Sequence, residues 1–263
     1  MRVEHLISAV NAEPHNLISK MDITADAVLI NQCGNNSEET FSTDSGMIRV
    51  YSYNERGVGL SRNRAIEHSS GDILLFADDD IVYSDGYEEV IISEFEKHPE
   101  ADGLFFNVKV CEDRRTYFNN DYKRCHIWNA GRYPAYSIAV RKTSFDGKGV
   151  RFSTLFGGGA KYSCGEDSIF IKDCLKAGLH MYRTPALIGE EVPRPSTWFN
   201  GYDEKFFFDR GVMYHFLYGK LAKVLGARFV FTKRKEMCQE IPAKRAYRLL
   251  LDGIKEGKGL ANE

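Results

Sequence analysis

The sequence lacks the features that would place it at once in several common protein classes. No apolar run approaches the ~20 residues that a membrane-spanning helix needs. The motifs HExxH, GxxxxGK(S/T) and GxSxG are absent, which argues against a zincin, a P-loop NTPase and an α/β-hydrolase. The segment "GVGLSRN" begins like a dinucleotide-binding fingerprint, but it has Arg62 where that fingerprint needs glycine or alanine.

Cysteine pairs and a strong net charge are also missing. The six cysteines form no CxxC pair and no signal peptide is recognisable, which predicts reduced thiols in a cytoplasmic protein. The net charge of -2 argues against a nucleic-acid partner. From Lys205 to Lys258, however, 13 Lys/Arg face 5 Asp/Glu, so this tail carries about +8. We interpret it as a solvated helical surface, with a phosphate-binding wall or peripheral contact with the inner face of a membrane as alternatives.

The pattern of apolar residues predicts an α/β protein. Up to about residue 110, short apolar runs alternate with helical patterns, as in βαβ units with a mainly parallel sheet. One such helix is expected to begin with Ser61 as its N-cap. Residues 111–165 are less regular, a helix and a late strand follow them, and residues 198–263 are helical, basic and aromatic. Without a convincing linker, we predict one domain over residues 1–263, and no feature predicts its oligomeric state.

Three consecutive aspartates, Asp78, Asp79 and Asp80, follow the apolar run "DILLF". Like charges at the end of a buried strand repel each other and are costly to desolvate, which points to a bound cation. Carboxylates suit Mg²⁺ or Mn²⁺, with water and a substrate phosphate as the remaining ligands. Because ligands collect at the carboxyl ends of parallel strands, we expect a cleft shared with Ala9–Asn11 and residues 31–34. An ordinary polar turn is the alternative.

A second acidic pair occurs in "SCGEDSIF", where Glu166 and Asp167 begin a predicted helix. The helix dipole favours the ionised carboxylate, and an ionised carboxylate can accept a proton from a substrate hydroxyl. Acidic residues also occur in first turns for stability alone. Here the preceding run Gly157–Gly159 lets the backbone approach a ligand, which favours a functional pair.

A third segment, "RPSTWFNGYDEKFFFDRG", combines aromatic and basic residues. Trp198 can form part of the core or a stacking platform for an acceptor sugar, and Arg210 can contact phosphate. Phe206 and Phe207 are expected in the core.

Taken together and in this order, these segments resemble a family 2 glycosyltransferase with the GT-A fold. The similarity runs from "ISAVN" through "GLSRNRA", "DILLFADDDIVY" and "GEDSIF" to "STWFNGY". The aspartate triplet resembles that family's DXD metal motif, and "GEDSIF" resembles its ED motif. The resemblance implies a Rossmann-like nucleotide-diphospho-sugar transferase fold, with a mainly parallel central sheet and a helical C-terminal extension.

The resemblance also implies roles for individual residues. Asp167 would be the general base and Glu166 would position the acceptor, while Asp80 and Asp78 would bind Mn²⁺ or Mg²⁺. Trp198 and Arg210 would contact the acceptor. The expected nucleotide-binding residues are Ala9, Asn11, Gln32, Arg62, Asn63, Arg64 and Asp79. Gln32 stands where the family usually has an aspartate.

The implied function is inverting transfer of one sugar from a nucleotide-diphosphate sugar, with a UDP-sugar favoured, to a hydroxyl of a glycan or lipid-linked glycan. Residues 1–110 would hold the donor and residues 111–197 the acceptor, in bacterial surface polysaccharide synthesis. The QxxRW motif of processive members is absent. Two alternatives stay open: a metal-dependent nucleotidyltransferase or pyrophosphohydrolase, and a non-catalytic binding module on the same fold. "GEDSIF" favours the transferase, because the nucleotidyl reaction needs no acceptor base.

Overall fold

A mixed sheet of ten strands forms the centre of the computed structural model, which describes residues 1–112, 115–193 and 201–260. Its order is β3-β4-β2-β1-β5-β9-β7-β10-β6, with β8 paired to β10. The strands are β1 (Val3–Val10), β2 (Asp26–Gln32), β3 (Ser37–Ser42), β4 (Met47–Tyr53), β5 (Ile73–Asp78), β6 (Ile81–Tyr83), β7 (Gly103–Lys109), β8 (Lys123–Arg124), β9 (Ile138–Arg141) and β10 (Met181–Glu191).

Most of the sheet is parallel, as the sequence predicts. β1 pairs in parallel with β2 and β5, β2 with β4, and β7 with β10. Four strands that the sequence pattern did not indicate run the other way, and two of them, β6 and β8, pair antiparallel with β10. β3 pairs antiparallel with β4, and β9 lies between β5 and β7, antiparallel to both. The predicted α/β fold is therefore confirmed, with antiparallel strands added to it.

Helices cover both faces of the sheet, and the helices near the C-terminus of the chain form a further layer. They are α1 (Pro14–Lys20), α2 (Val58–His68), α3 (Tyr87–Lys97), α4 (Lys142–Phe145), α5 (Glu166–Lys176), α6 (Glu204–Tyr218), α7 (Ala222–Thr232), α8 (Arg234–Met237) and α9 (Ala243–Leu260). Consecutive residues of β1 point to opposite faces: Ile7 packs with α1 and α3, whereas Leu6 packs with α2 and α5. A third apolar cluster lies among α6, α7 and α9 and includes the buried Phe207, as predicted.

Helix α2 begins four residues earlier than the sequence suggested. Gly57, with φ 131°, is its N-cap, and Ser61 lies inside the first turns, so the predicted Ser61 cap is wrong. The Gln32 side chain fixes this start, because its amide nitrogen donates to Gly57 O and its amide oxygen accepts from Gly57 N, both at 3.1 Å. Val58 N also donates to Gly158 O at 2.8 Å. These long-range contacts position α2, and they are invisible in the local sequence.

Helix α5 begins at Glu166 behind Gly165, which adopts φ 121°. A Cβ at Gly165 would lie 2.6 Å from Met213 Cγ of α6, so only glycine allows this close approach. The close approach brings the first turn of α5 against α6. Among the described residues, no helix is long and apolar enough to cross a bilayer.

Candidate active site

A cavity of about 680 Å³ opens at the carboxyl ends of β1 and β5, between the first turns of α2 and α5. Its wall also includes residues 131–134 and Arg210 of α6. The predicted site residues that line it are Ala9, Gln32, Arg62, Asp78, Asp79, Glu166, Asp167 and Arg210. The structure thus brings together Asp78 and Asp79 of the triplet, the acidic pair and Arg210 of the basic tail, which are far apart in sequence.

The Arg62 guanidinium lies between the two acidic segments. Its Nη2 donates to Asp78 Oδ1 at 2.9 Å, and its Nη1 donates to Asp167 Oδ1 at 2.7 Å. The same Nη1 lies 3.3 Å from Glu166 Oε1. The Arg62 side chain is only 4% exposed. A cation belonging to the chain itself therefore compensates part of the negative charge that the sequence led us to assign wholly to a metal ion.

One guanidinium cannot neutralise three carboxylates. Asp78, Asp79, Glu166 and Asp167 line the cavity, and Arg56, Arg132 and Arg210 line it as well, so acidic and basic side chains face the same space. Arg62 Nε has no hydrogen-bond partner among the described residues. A cation bound together with an anionic ligand would suit this wall, because each of the two charges would meet side chains of the opposite sign.

Asp167 is held in a fixed orientation from two sides. Its Oδ1 accepts the hydrogen bond from Arg62, and its Oδ2 accepts from the backbone N of Ala135 at 3.1 Å. About a quarter of the side chain, 24%, remains exposed in the cavity wall. The carboxylate is therefore positioned by the protein and still reachable by a ligand.

The electrostatic surroundings raise the pKa of Asp167 to about 7. Burial is the largest cause, and repulsion by Glu166 adds to it. Arg62 lowers the pKa and Asp78 raises it, both by smaller amounts. The helix dipole, from which the sequence analysis expected a firmly ionised carboxylate, is outweighed. A pKa near neutrality suits a residue that takes up and gives away a proton.

The fit of a divalent cation depends on which aspartates reach the cavity. Among the described residues, no group of three or more His, Cys, Asp or Glu side chains is gathered closely enough to hold a metal ion. Asp78 and Asp79 line the cavity, whereas the lining does not include Asp80, whose backbone O accepts from Val192 N at 2.8 Å. Two carboxylates fit a hard cation that takes its other ligands from a diphosphate and water.

The other predicted nucleotide-binding residues have structural contacts of their own. Both ends of the Asn63 amide bond the backbone of Phe152, at 2.8 and 2.9 Å. Arg64 lies over the Tyr53 ring and pairs with Glu55 at 3.6 Å. Neither these two residues nor Asn11 is among the described residues that line the cavity. Their role in nucleotide binding stays a prediction.

The predicted acceptor residues are only partly described. Trp198 lies outside the described residues. Arg210 lines the cavity, and its guanidinium carbon lies 5.0 Å from the ring centre of Phe206 and 5.4 Å from that of Phe229 in α7. These cation–π contacts hold the Arg210 side chain at the wall nearest the C-terminal helices.

Sequence reasoning missed the loop that closes the cavity on the side of α5. Gly131, Arg132, Tyr133 and Pro134 line the cavity, and the loop continues to the Ala135 N–H that orients Asp167. Just before this loop, Trp128 is 74% exposed. The only signal in the sequence was the irregular, Tyr- and Arg-rich composition of this region.

Comparison with known proteins relates part of the chain to a known family. The model of glycosyl transferase family 2 matches residues 36–155. This segment of the chain is similar to glycosyl transferase family 2, and the resemblance inferred from the sequence is confirmed. No curated protein matches the chain significantly in sequence.

Solved structures with the same architecture confirm the GT-A fold. S. aureus TarS 1–349 in complex with UDP-GlcNAc aligns with a TM-score of 0.62 at 14% identity, covering 91% of this chain and 74% of that one. Full S. aureus TarS gives a TM-score of 0.63 at 15% identity, with 97% and 49% covered. The mannosyltransferase PcManGT from Pyrobaculum calidifontis, in complex with GDP-Man and Mn²⁺, gives 0.53 at 12% identity, with 98% and 87% covered.

Proposed function

We propose that this protein transfers a single sugar from a nucleoside-diphosphate sugar to a hydroxyl group, with inversion at the anomeric carbon. The observation that carries the proposal is the geometry of Asp167. Its carboxylate lies in the cavity wall, is oriented by Arg62 and Ala135 N, and has a pKa raised to about 7. This combination suits a general base that acts on a neutral hydroxyl at physiological pH.

In the proposed reaction, Asp167 accepts the proton of the acceptor hydroxyl while the hydroxyl oxygen bonds to the anomeric carbon. The bond from that carbon to the diphosphate breaks, and the diphosphate leaves with the electron pair. Glu166, 13% exposed beside Asp167, is placed to hold the acceptor. Attack from the face opposite the leaving group inverts the anomeric centre.

A divalent cation, Mn²⁺ or Mg²⁺, would neutralise the charge of the leaving diphosphate. Asp78 and Asp79 are the residues placed to hold it, since both line the cavity. Asp80, which the resemblance makes the main ligand, would have to turn toward the cavity to join them. The hydrogen bond that Arg62 Nη2 donates to Asp78 Oδ1 fixes the orientation of the Asp78 side chain.

The donor is proposed from the ligands bound in the structurally similar proteins. S. aureus TarS is solved with UDP-GlcNAc, and PcManGT is solved with GDP-Man and Mn²⁺. A UDP-sugar donor, a glycan or lipid-linked glycan acceptor and a place in bacterial surface polysaccharide synthesis are part of the same proposal. Trp128 adds an exposed aromatic surface on which an acceptor sugar could stack.

Product analysis tests the proposal against its nearest alternative. The chain is incubated with UDP-GlcNAc and GDP-mannose, each with Mn²⁺ and with EDTA. Release of UDP or GDP in the presence of Mn²⁺ but not of EDTA supports a transferase that uses water as a slow acceptor. Release of UMP or GMP together with the sugar 1-phosphate would instead assign a pyrophosphohydrolase. Formation of UTP or GTP and the sugar 1-phosphate when pyrophosphate is added would assign a nucleotidyltransferase.

A further inference from the structure

Helix α7 has two faces of opposite character. Its inner face, with Ala222, Gly226 and Val230, is buried in the C-terminal cluster, where Gly226 abuts Leu250 of α9. The outer face is apolar and exposed: Val224 is 68% exposed and Phe231 is 41% exposed. We call the set Leu221, Val224, Arg228 and Phe231 the α7 outer face.

The spacing places these residues in one row along the helix. Val224, Arg228 and Phe231 lie at positions i, i+4 and i+7, on one side of an α-helix. Leu221, 49% exposed, lies one turn before Val224. Large apolar side chains at that exposure on neighbouring turns of one helix form a patch rather than scattered surface residues.

The segment that carries the patch is basic and contains no acidic residue. Residues 219–235 contain six Lys/Arg and no Asp/Glu. Among the described residues, none forms a salt bridge with Lys220, Lys223 or Arg228. Long basic side chains beside exposed apolar ones can keep their charges at a headgroup layer while the apolar groups enter below it.

We propose that the α7 outer face binds the surface of an anionic lipid bilayer, with Leu221, Val224 and Phe231 inserted among the headgroups. The uniform charge is complementary to anionic lipid, and the helix lies with its inner face fixed to the protein. Phe229 of α7 also packs on Arg210 of the cavity wall, so binding would hold the cavity close to the lipid surface.

Vesicle sedimentation of the full chain tests this proposal without any sugar donor. Phosphatidylcholine vesicles are compared with vesicles that also contain phosphatidylglycerol, at low and high salt. The wild type is expected to bind the anionic vesicles and to lose binding at high salt. The double variant V224S/F231S should bind them at least about tenfold more weakly, because it removes two inserted apolar groups.

Two further variants separate insertion from charge and from unfolding. K220Q/K223Q should also weaken binding to anionic vesicles, and it should weaken the salt dependence. M47S/V90S removes exposed apolar groups elsewhere, at 51% and 36% exposure, and should leave binding unchanged. Circular dichroism melting shows whether each variant is folded.

Three results would overturn the proposal. These are no binding to anionic vesicles, equal binding to both vesicle types, or full binding by folded V224S/F231S. A wild-type dimer that V224S/F231S converts to a monomer would assign the face to a second copy of the chain instead. Because no donor is present, vesicle binding is independent of the transfer proposal, and either can fail alone.

Discussion

Two ion-pair systems at opposite ends of β1 use arginine in different ways. At the amino end, Glu4 is 1% exposed and pairs with one arginine, Arg49, at 2.5 Å. It also accepts hydrogen bonds from the backbone N of Ser70 and of Gly71, at 2.6 and 2.9 Å. At the carboxyl end, one buried arginine, Arg62, serves three carboxylates that line a cavity.

The difference separates a structural ion pair from a binding site. Each Glu4 oxygen has a donor and its charge is matched, so nothing is left for a ligand. The carboxylates around Arg62 are undermatched, remain partly exposed, and raise the pKa of Asp167. Three carboxylates that share one buried arginine and stay partly exposed in a cavity wall are the mark of the functional cluster. Three substitutions and one pH profile test that contrast, from the largest expected effect on activity to the smallest.

Asp167→Asn should lower the rate of UDP or GDP release about 10³-fold, because the amide keeps the shape of the side chain but cannot accept the proton. Nucleotide affinity should stay nearly unchanged, as Asp167 is proposed to act on the acceptor. Initial rates and calorimetric titration measure the two quantities. An unchanged rate in the folded variant would remove Asp167 as the base.

Arg62→Lys should lower the same rate about 10- to 100-fold, because lysine keeps the charge but cannot bond Asp78 and Asp167 at once. The effect should fall on kcat more than on KM, since the change misplaces the base rather than the donor. Steady-state kinetics with a melting curve measures it. Wild-type kcat in this variant would show that Arg62 has no positioning role.

The pH profile should follow Asp167. Only the ionised carboxylate is active, so log kcat/KM should rise by about one unit per pH unit below about 7 and level off above it. The same raised pKa means that the folded state holds this proton more tightly than the unfolded state. Asp167 therefore contributes stability that falls as pH rises from 3.8 to about 7. A flat rate profile over this range would contradict the assignment.

Glu4→Gln should leave the rate of diphosphate release within about twofold of wild type, because the change lies at the far end of β1. It should lower the free energy of unfolding by about 1–3 kcal/mol, since the charge-assisted bonds to a buried carboxylate are weakened. Denaturant titration measures the stability. A large loss of activity in the folded variant would contradict the view that Glu4 and Arg49 form a purely structural ion pair.

Patterns within single elements could be predicted from the sequence. The apolar run before Asp78 and the acidic start of α5 were placed correctly, because both depend on local periodicity and helix-end chemistry. The edge strand β3, "SEETFS", was missed because it is exposed and polar and pairs only with β4. Likewise, β9 is four residues long and depends on strands distant in sequence.

In the candidate site, too, the sequence predicted features within single segments but not the contacts between them. Both acidic clusters were recognisable, but the sequence does not show that Arg62 lies between them. That position follows from contacts to Asp78, 16 residues away, and to Asp167, 105 residues away. The hydrogen bonds between the Gln32 side chain and the Gly57 backbone, which set the start of α2 in place of the expected Ser61 cap, are likewise tertiary contacts.

The central claim is that the cavity binds a nucleoside diphosphate together with a divalent cation held by Asp78 and Asp79. Thermal melting with UDP and GDP, each with and without Mn²⁺, tests this most directly in the wild type and in Asp78→Asn and Asp79→Asn. We predict that one nucleotide raises the melting temperature only when Mn²⁺ is present, and that either variant loses the shift. A shift that is independent of Mn²⁺, a shift kept by both variants, or none with either nucleotide would contradict the account.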